Sequence, residues 1–200
     1  MTAGRSTTHD IEIRDDIVIK RYRSWDRGEH RREWAALNVL AEHAPGLAPT
    51  PVRADLDGSP PTVVMSRLPG TPLRGLPTGP EQVRALATAL THLHHAIPGA
   101  NAATARVHII DWEDSGLADR AFELAEVAEH ISHVDGDLDS DLLLAHLDLT
   151  PAEAARVHEF RRLLALGWLL MLGPGGPATR RNPPGALDRQ AGRVLALLDS

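Results

Sequence analysis

Residues 106–116 read RVHIIDWEDSG. Two branched apolar residues, Ile109 and Ile110, run straight into Asp111, and Trp112, Glu113 and Asp114 follow. Branched residues suit the pleated, half-buried surface of a strand, so the run predicts a buried strand that delivers carboxylates from its end. Carboxylates so placed can hold a metal ion, orient a base or cap a turn. Just downstream, Asp119 is positioned to cap a helix through about Ser132, with Leu124, Val127 and Ile131 facing inward. Glu123, Glu126 and Glu129 of that helix read as a solvated face.

The composition narrows what those carboxylates can serve. With 200 residues and 42% hydrophobic content, the chain can build one large domain or two small lobes. It has no cysteine, which excludes disulfides and thiolate metal sites and fits a reducing, cytoplasmic interior. Net charge is −6 and the arginines are scattered, so no nucleic-acid partner is expected. The longest apolar run, Leu163 to Leu172, is too short for a bilayer, so neither a membrane partner nor a secretion leader is expected. Of the 21 basic residues, 20 are arginine and one, Lys20, is lysine. Wherever bare positive charge suffices, this chain uses arginine. A lone lysine therefore suggests a site where a compact ammonium is needed and a planar guanidinium does not fit; chance survival in an arginine-rich composition is the alternative.

Working outward, HDIEIRDDIVIKRY (residues 9–22) predicts a β-hairpin about Asp15-Asp16, with Lys20 in its second strand. AGRSTT (residues 3–8) precedes it, a short glycine and hydroxyl run that suits either a phosphate-binding loop or a free terminus. From Gly28 to Ala44 the pattern is helical, with Trp34, Leu37, Leu40, Ala41 and Ala44 as the apolar stripe and Pro45-Gly46 as the stop. Glu33 falls on that stripe. An inward carboxylate needs a partner, and Lys20 is the natural one; otherwise Glu33 stays wet at the edge. TVVMS (residues 62–66) predicts a buried strand, and the proline- and glycine-rich RLPGTPLRGLPTGP after it marks a boundary between a β-rich part, residues 1–70, and a helical part, residues 71–200. Pro80 opens a helix that Pro98-Gly99 stops, and its end carries His92, His94 and His95. His92 and His95 could pair on a metal, but a surface helix end fits better. HVDGDLDSD (residues 133–141) has its turn glycine and closing glutamate misplaced for a calcium loop and reads as an acidic helix-capping segment. Helices over about 151–172 and 186–198 complete the chain.

In this order the segments resemble the aminoglycoside phosphotransferase and choline kinase group of protein-kinase-like enzymes. IIDWEDSGLADRAFELA looks like that group's metal-binding segment, and VIKRY, REWAALNVL, VVMSRLPGTPL and LTHLHHAIPG match neighbouring landmarks. The resemblance spans nearly the whole chain. It implies an α+β, two-lobe fold with a small β-rich N-lobe and a mainly helical C-lobe, and an ATP-dependent phosphotransferase acting on a small-molecule hydroxyl. By the same resemblance, Ser6 and Thr7 would lie in the phosphate loop, Lys20 would contact the α- and β-phosphates with Glu33 holding its ammonium, and Met65, Ser66 and Leu68 would form the hinge at the adenine. Asp111 would ligate Mg²⁺ with Glu113 beside it, Asp114 would tune the site, and Asp119 would cap a helix. Neither the acceptor nor an oligomeric state is specified.

The chain departs from the family at more than one point. The family's catalytic loop, His-Gly-Asp, four residues, then Asn, lies before the metal-binding segment. Here the only acidic residue between Asp57 and Asp111 is Glu81, and the only asparagine is Asn101. HVDGDLD has similar wording but follows Asp111. IPGANAATARV also spans in a few residues an interval where the family has helices and a strand. Either a segment near residues 100–105 is missing from this chain or the deletion is real; the first is favoured, because losing a core strand would expose the apolar faces around it. The alternative function is a non-catalytic kinase-like module that binds nucleotide or a partner.

Overall fold

The hairpin forms where the alternation predicts it. In the computed structural model, which describes residues 9–24, 26–71, 78–95, 109, 111–114, 119–130, 138–174, 176 and 184–200, strands β1 (His9–Ile13) and β2 (Ile17–Tyr22) pair antiparallel in the register Ile11↔Lys20. The turn closes with Arg14 N–H donating to Ile17 O at 2.9 Å. Strands β3 (Pro51–Asp55) and β4 (Thr62–Ser66) complete an antiparallel sheet of order β1-β2-β4-β3. Strand β3 is an addition to the sequence expectation. It opens on a proline, which an edge strand tolerates, and its register slips between Pro51 and Arg53. The opposite edge, β1, carries paired charges: Arg23 with Asp10, and Arg14 and Arg21 with Glu12.

Helix α1 (Glu29–His43) starts after Gly28, whose φ of 75° is the left-handed conformation glycine adopts without penalty. Leu37, Leu40 and Ala44 are buried as predicted, whereas Ala41 is exposed. They meet Tyr22, Val63 and Met65 from one face of the sheet, at about 1.5–3 kcal/mol for each fully buried large apolar side chain.

By packing, the chain divides into two units, Met1–Gly70 with Thr88–Leu117 and Thr71–Ala87 with Ala118–Ser200. Residues 88–117, assigned from sequence to the helical part, thus group with the β-rich one. The reason is visible in the core, where Ala89, Leu93, Ile109 and Trp112 pack with α1 and the sheet. Helix α2 (Pro80–His94) has Val83, Ala87, Ala89 and Leu90 buried. The expected stop at Pro98-Gly99 and the chain path across residues 100–105 lie outside the described residues.

The second unit is helical. Asp119 caps α3 (Arg120–Glu129), its Oδ1 accepting from Ala121 N–H at 2.8 Å. Asp139 does the same for α4 (Ser140–Ala145) through Leu142 N–H at 2.8 Å, so the acidic segment caps a helix at this position; Asp135 and Asp137 lie outside the described residues. Helices α5 (Pro151–Leu172) and α6 (Ala186–Leu198) keep the predicted bounds. One expectation is corrected. Glu129 is not on a solvated face: it is buried, with Arg161 Nε at 2.6 Å and Arg193 Nη2 at 2.6 Å on one oxygen.

The start of α5 is a capping box. Thr150 Oγ1 accepts from Glu153 N–H, while Glu153 Oε2 accepts from Thr150 N–H at 3.0 Å. The Thr150 N–H, then its hydroxyl and Arg120, pull Glu153 down to a pKa of about 2. A lowered carboxyl pKa contributes stability that is complete above the ordinary carboxyl range and fades as pH falls towards about 2. Thr150→Ala is expected to cost about 1 kcal/mol at pH 7, and urea denaturation at pH 7 and pH 3 should show the gap narrowing in acid without closing, because the bond from Glu153 N–H to the Thr150 hydroxyl does not titrate. Among the described residues, no helix is long and apolar enough to cross a membrane.

Candidate functional site

Strand alternation turns Val18, Lys20 and Tyr22 of β2 to the face that α1 covers. A lysine there is costly unless paired. Lys20 is 4% exposed, and its Nζ lies 2.9 Å from Glu33 Oε2. Glu33 sits one turn before Leu37 on the inward stripe of α1, its side chain 2% exposed. The inward carboxylate and the lone lysine therefore do satisfy each other, in the pairing expected from sequence.

Asp111, 91 residues further along the chain, joins them. Its Oδ1 accepts from Lys20 Nζ at 2.7 Å. Unlike the other two, it is largely open to solvent, with 59% of its side chain exposed. The strand expected to deliver it is absent at the described residues Ile109 and Asp111. Ile109 N–H instead donates to Leu47 O at 2.9 Å, and Trp112 Nε1 donates to Ile109 O at 3.1 Å. Asp111 then takes a φ of 72° and leads into a 3₁₀ turn, Trp112–Asp114. Aspartate is one of the few non-glycine residues that adopt this left-handed conformation with ease. The carboxylate is aimed by a backbone twist and a half-buried indole in place of a strand end.

Burial alone would pull Lys20 down, but the Glu33 and Asp111 carboxylates outweigh it and hold the ammonium above the usual lysine range. The group is charged at any physiological pH. Around it, Tyr22 donates its hydroxyl to Glu33 Oε2, and Arg27 Nη2 holds Asp114 Oδ1 at 2.9 Å with Arg32 at 3.6 Å. These arginines tie the 3₁₀ turn to the start of α1.

The other sequence-predicted residues are placed as follows. Met65 is buried in the core, two residues along β4 from Val63, which faces Lys20 in the register. Ser66 ends β4, its Oγ accepting from Thr50 N–H at 2.9 Å, and Leu68 lies half-buried just beyond. Glu113 belongs to the 3₁₀ turn, but its side chain, like Ser6 and Thr7, lies outside the described residues. Tyr22, Arg27 and Arg32 were not singled out from sequence. For Tyr22 a signal was present, since it is the only tyrosine and stands two residues after the only lysine on the same strand face.

Chemically, a fixed ammonium beside an exposed carboxylate can bind an anion through one and a hard cation through the other. Among the described residues no group of three or more His, Cys, Asp or Glu side chains could hold a metal ion. Mg²⁺ needs no such cage when phosphate oxygens and water complete its shell around one or two carboxylates, and the exposed Asp111 carboxylate fits that role. Compared with protein-family models and with curated proteins, the chain matches none of them.

Proposed function

We propose that this chain binds Mg²⁺-ATP as an ATP-dependent small-molecule phosphotransferase of the aminoglycoside phosphotransferase type, in a protein-kinase-like two-lobe fold. The observation that carries the reading is the convergence of Lys20, Glu33 and Asp111 on one ammonium, two of them buried and the third solvent-facing. Phosphoryl transfer is chiefly positioning and charge neutralisation, and these residues supply both. Lys20 would meet the α- and β-phosphates by exchanging its Asp111 partner for phosphate oxygen. Glu33 keeps the ammonium in place during that exchange. Asp111, so released, would hold Mg²⁺, which supplies neutralisation of the phosphate charge when bound. Met65, Ser66 and Leu68 would border the adenine, with Ser6 and Thr7 on the phosphate side and Glu113 near the metal. The acceptor would be a small-molecule hydroxyl.

A second reading, a nucleotide-binding module without catalysis, is favoured by one specific observation. The Asp and Asn of the family's catalytic loop are absent from the sequence before Asp111. Loss of a positioned acid–base group costs about 10²–10⁴-fold in rate, so binding is expected to outlast turnover.

Mg²⁺-ATP at about 100 times its Kd should stabilise the chain by about 2.7 kcal/mol, a rise in Tm of roughly 5–10 °C. EDTA should abolish the rise. Lys20→Arg should abolish it too, despite keeping the charge, because the planar guanidinium does not fit the ammonium's place. An unchanged Tm with Mg²⁺-ATP sinks the reading. ATP turnover against a panel of hydroxyl compounds then separates kinase from binder.

A further inference from the structure

Tyr22 is the sole tyrosine of the chain, and it is 1% exposed. Its hydroxyl donates to Glu33 Oε2, the same oxygen that takes the Lys20 ammonium. Its ring centre lies 5.3 Å from Lys20 Nζ, within the range at which a cation is drawn to an aromatic face. The rings of His9 and His30 stand 6.0 Å and 5.8 Å from it, on β1 and α1. Thus the phenol is wedged between two elements and touches both members of the ion pair.

The shared oxygen has a geometric consequence. A carboxylate holding one ammonium can rotate and offer either oxygen. When a rigid phenol and an ammonium bind the same oxygen, rotation breaks both bonds at once. The carboxylate plane is then fixed, and the ammonium is confined between that oxygen and the ring face. We propose that Tyr22 is the positioning residue of this site: it anchors Glu33 Oε2 and backs the Lys20 ammonium, so that the lone lysine presents a single orientation to an anionic ligand. The identity of that ligand as a nucleotide phosphate rests on the function proposed above; the positioning of Lys20 does not.

One label and one substitution make the test direct. Protein grown with ¹⁵N-lysine carries one side-chain ammonium signal, that of Lys20, because there is one lysine. Tyr22→Phe keeps the ring and removes only the hydroxyl. In the full-length, folded variant, Nζ proton exchange should be about tenfold faster and Mg²⁺-ATP binding about tenfold weaker, as expected for a lost hydrogen bond to a charged group. A variant that merely packs less well would lower Tm without moving the Nζ signal. A folded Tyr22→Phe with wild-type Nζ exchange overturns the proposal, whatever ATP does. Faster Nζ exchange in a chain whose wild type binds no Mg²⁺-ATP supports the positioning role and overturns the nucleotide reading instead. Should Tyr22→Phe fail to fold, the wild type decides: proximity signals between the Tyr22 ring protons and the Lys20 side-chain methylenes support the proposal, and their absence overturns it.

Discussion

Lys20→Met is expected to destabilise the protein by about 3–5 kcal/mol, the cost of breaking a buried ion pair from one side. Glu33 then stands 2% exposed with no counter-charge among the described residues, and Tyr22 is the one hydrogen-bond donor to it that remains among them. Native domains hold about 5–15 kcal/mol in all, so the variant should sit near the threshold of folding. The origin of the loss can be checked by a second change. Lys20→Met with Glu33→Leu removes the stranded charge and should recover much of the deficit, since apolar replacement of a whole buried pair is often neutral. Adding Tyr22→Phe to the double variant then measures what the phenol hydroxyl contributes once Glu33 no longer accepts from it. Urea denaturation followed by circular dichroism measures all three. If the single and double variants are equally unstable, the pair is not the source. The pH dependence has a defined sign. The Lys20 pKa is raised, so its contribution is complete below the ordinary lysine value and is lost only as pH climbs through the raised one.

The second large effect belongs to Glu129. Its carboxylate receives Arg161 Nε at 2.6 Å, Arg193 Nε at 2.8 Å and Arg193 Nη2 at 2.6 Å. One buried group on α3 thereby ties down guanidinium groups from α5 and α6. Glu129→Leu should cost about 3 kcal/mol or slightly more, the lower end of the range for a broken buried pair. Asp141 still holds Arg161 Nη1 at 3.0 Å, which softens the loss. Arg193, with a third of its side chain exposed, can turn to water. Arg161, at 8%, cannot. Arg161→Leu should therefore be worse than Arg193→Leu, and the ranking by urea midpoint tests whether burial or hydrogen-bond count controls the network. Equal losses would argue against burial.

These two clusters also mark where the sequence was and was not informative. The hairpin, α1, α5 and α6 were legible because their signals are local: a two-residue period, a 3.6-residue period, prolines and glycines as punctuation. The α+β class, which the resemblance implied, agrees with them. Strand β3 was not legible, since PVRAD opens on a proline and is half exposed. The Ile109-Ile110 pair promised a strand, but Ile109 spends its N–H on Leu47 and the chain twists left-handed at Asp111. Tertiary partners overrode a local preference. Glu129 was misjudged for a related reason: three glutamates at i, i+3 and i+6 look solvated unless arginines from distant helices are known to meet one of them. In the site, the Lys20–Glu33 pair could be reasoned out, because an inward carboxylate must find a cation. Asp111 reached the site only through the resemblance to a family, as nothing in spacing links residues 91 apart. Tyr22 was overlooked because a tyrosine on a buried strand face reads as core.

The charged outer strand of the sheet has a consequence for solubility. Among the described residues, strand β1 is an edge of its sheet, with Ile11 and Ile13 exposed beside it, an arrangement that invites gelling of one molecule onto the next. Alternate positions carry Asp10 and Glu12, each gripped by arginine. Those grips hold both carboxyls below their usual range, Asp10 chiefly through Arg23 and Glu12 chiefly through Arg14. The strand therefore keeps its alternating fringe of plus and minus further into acid than loose side chains would.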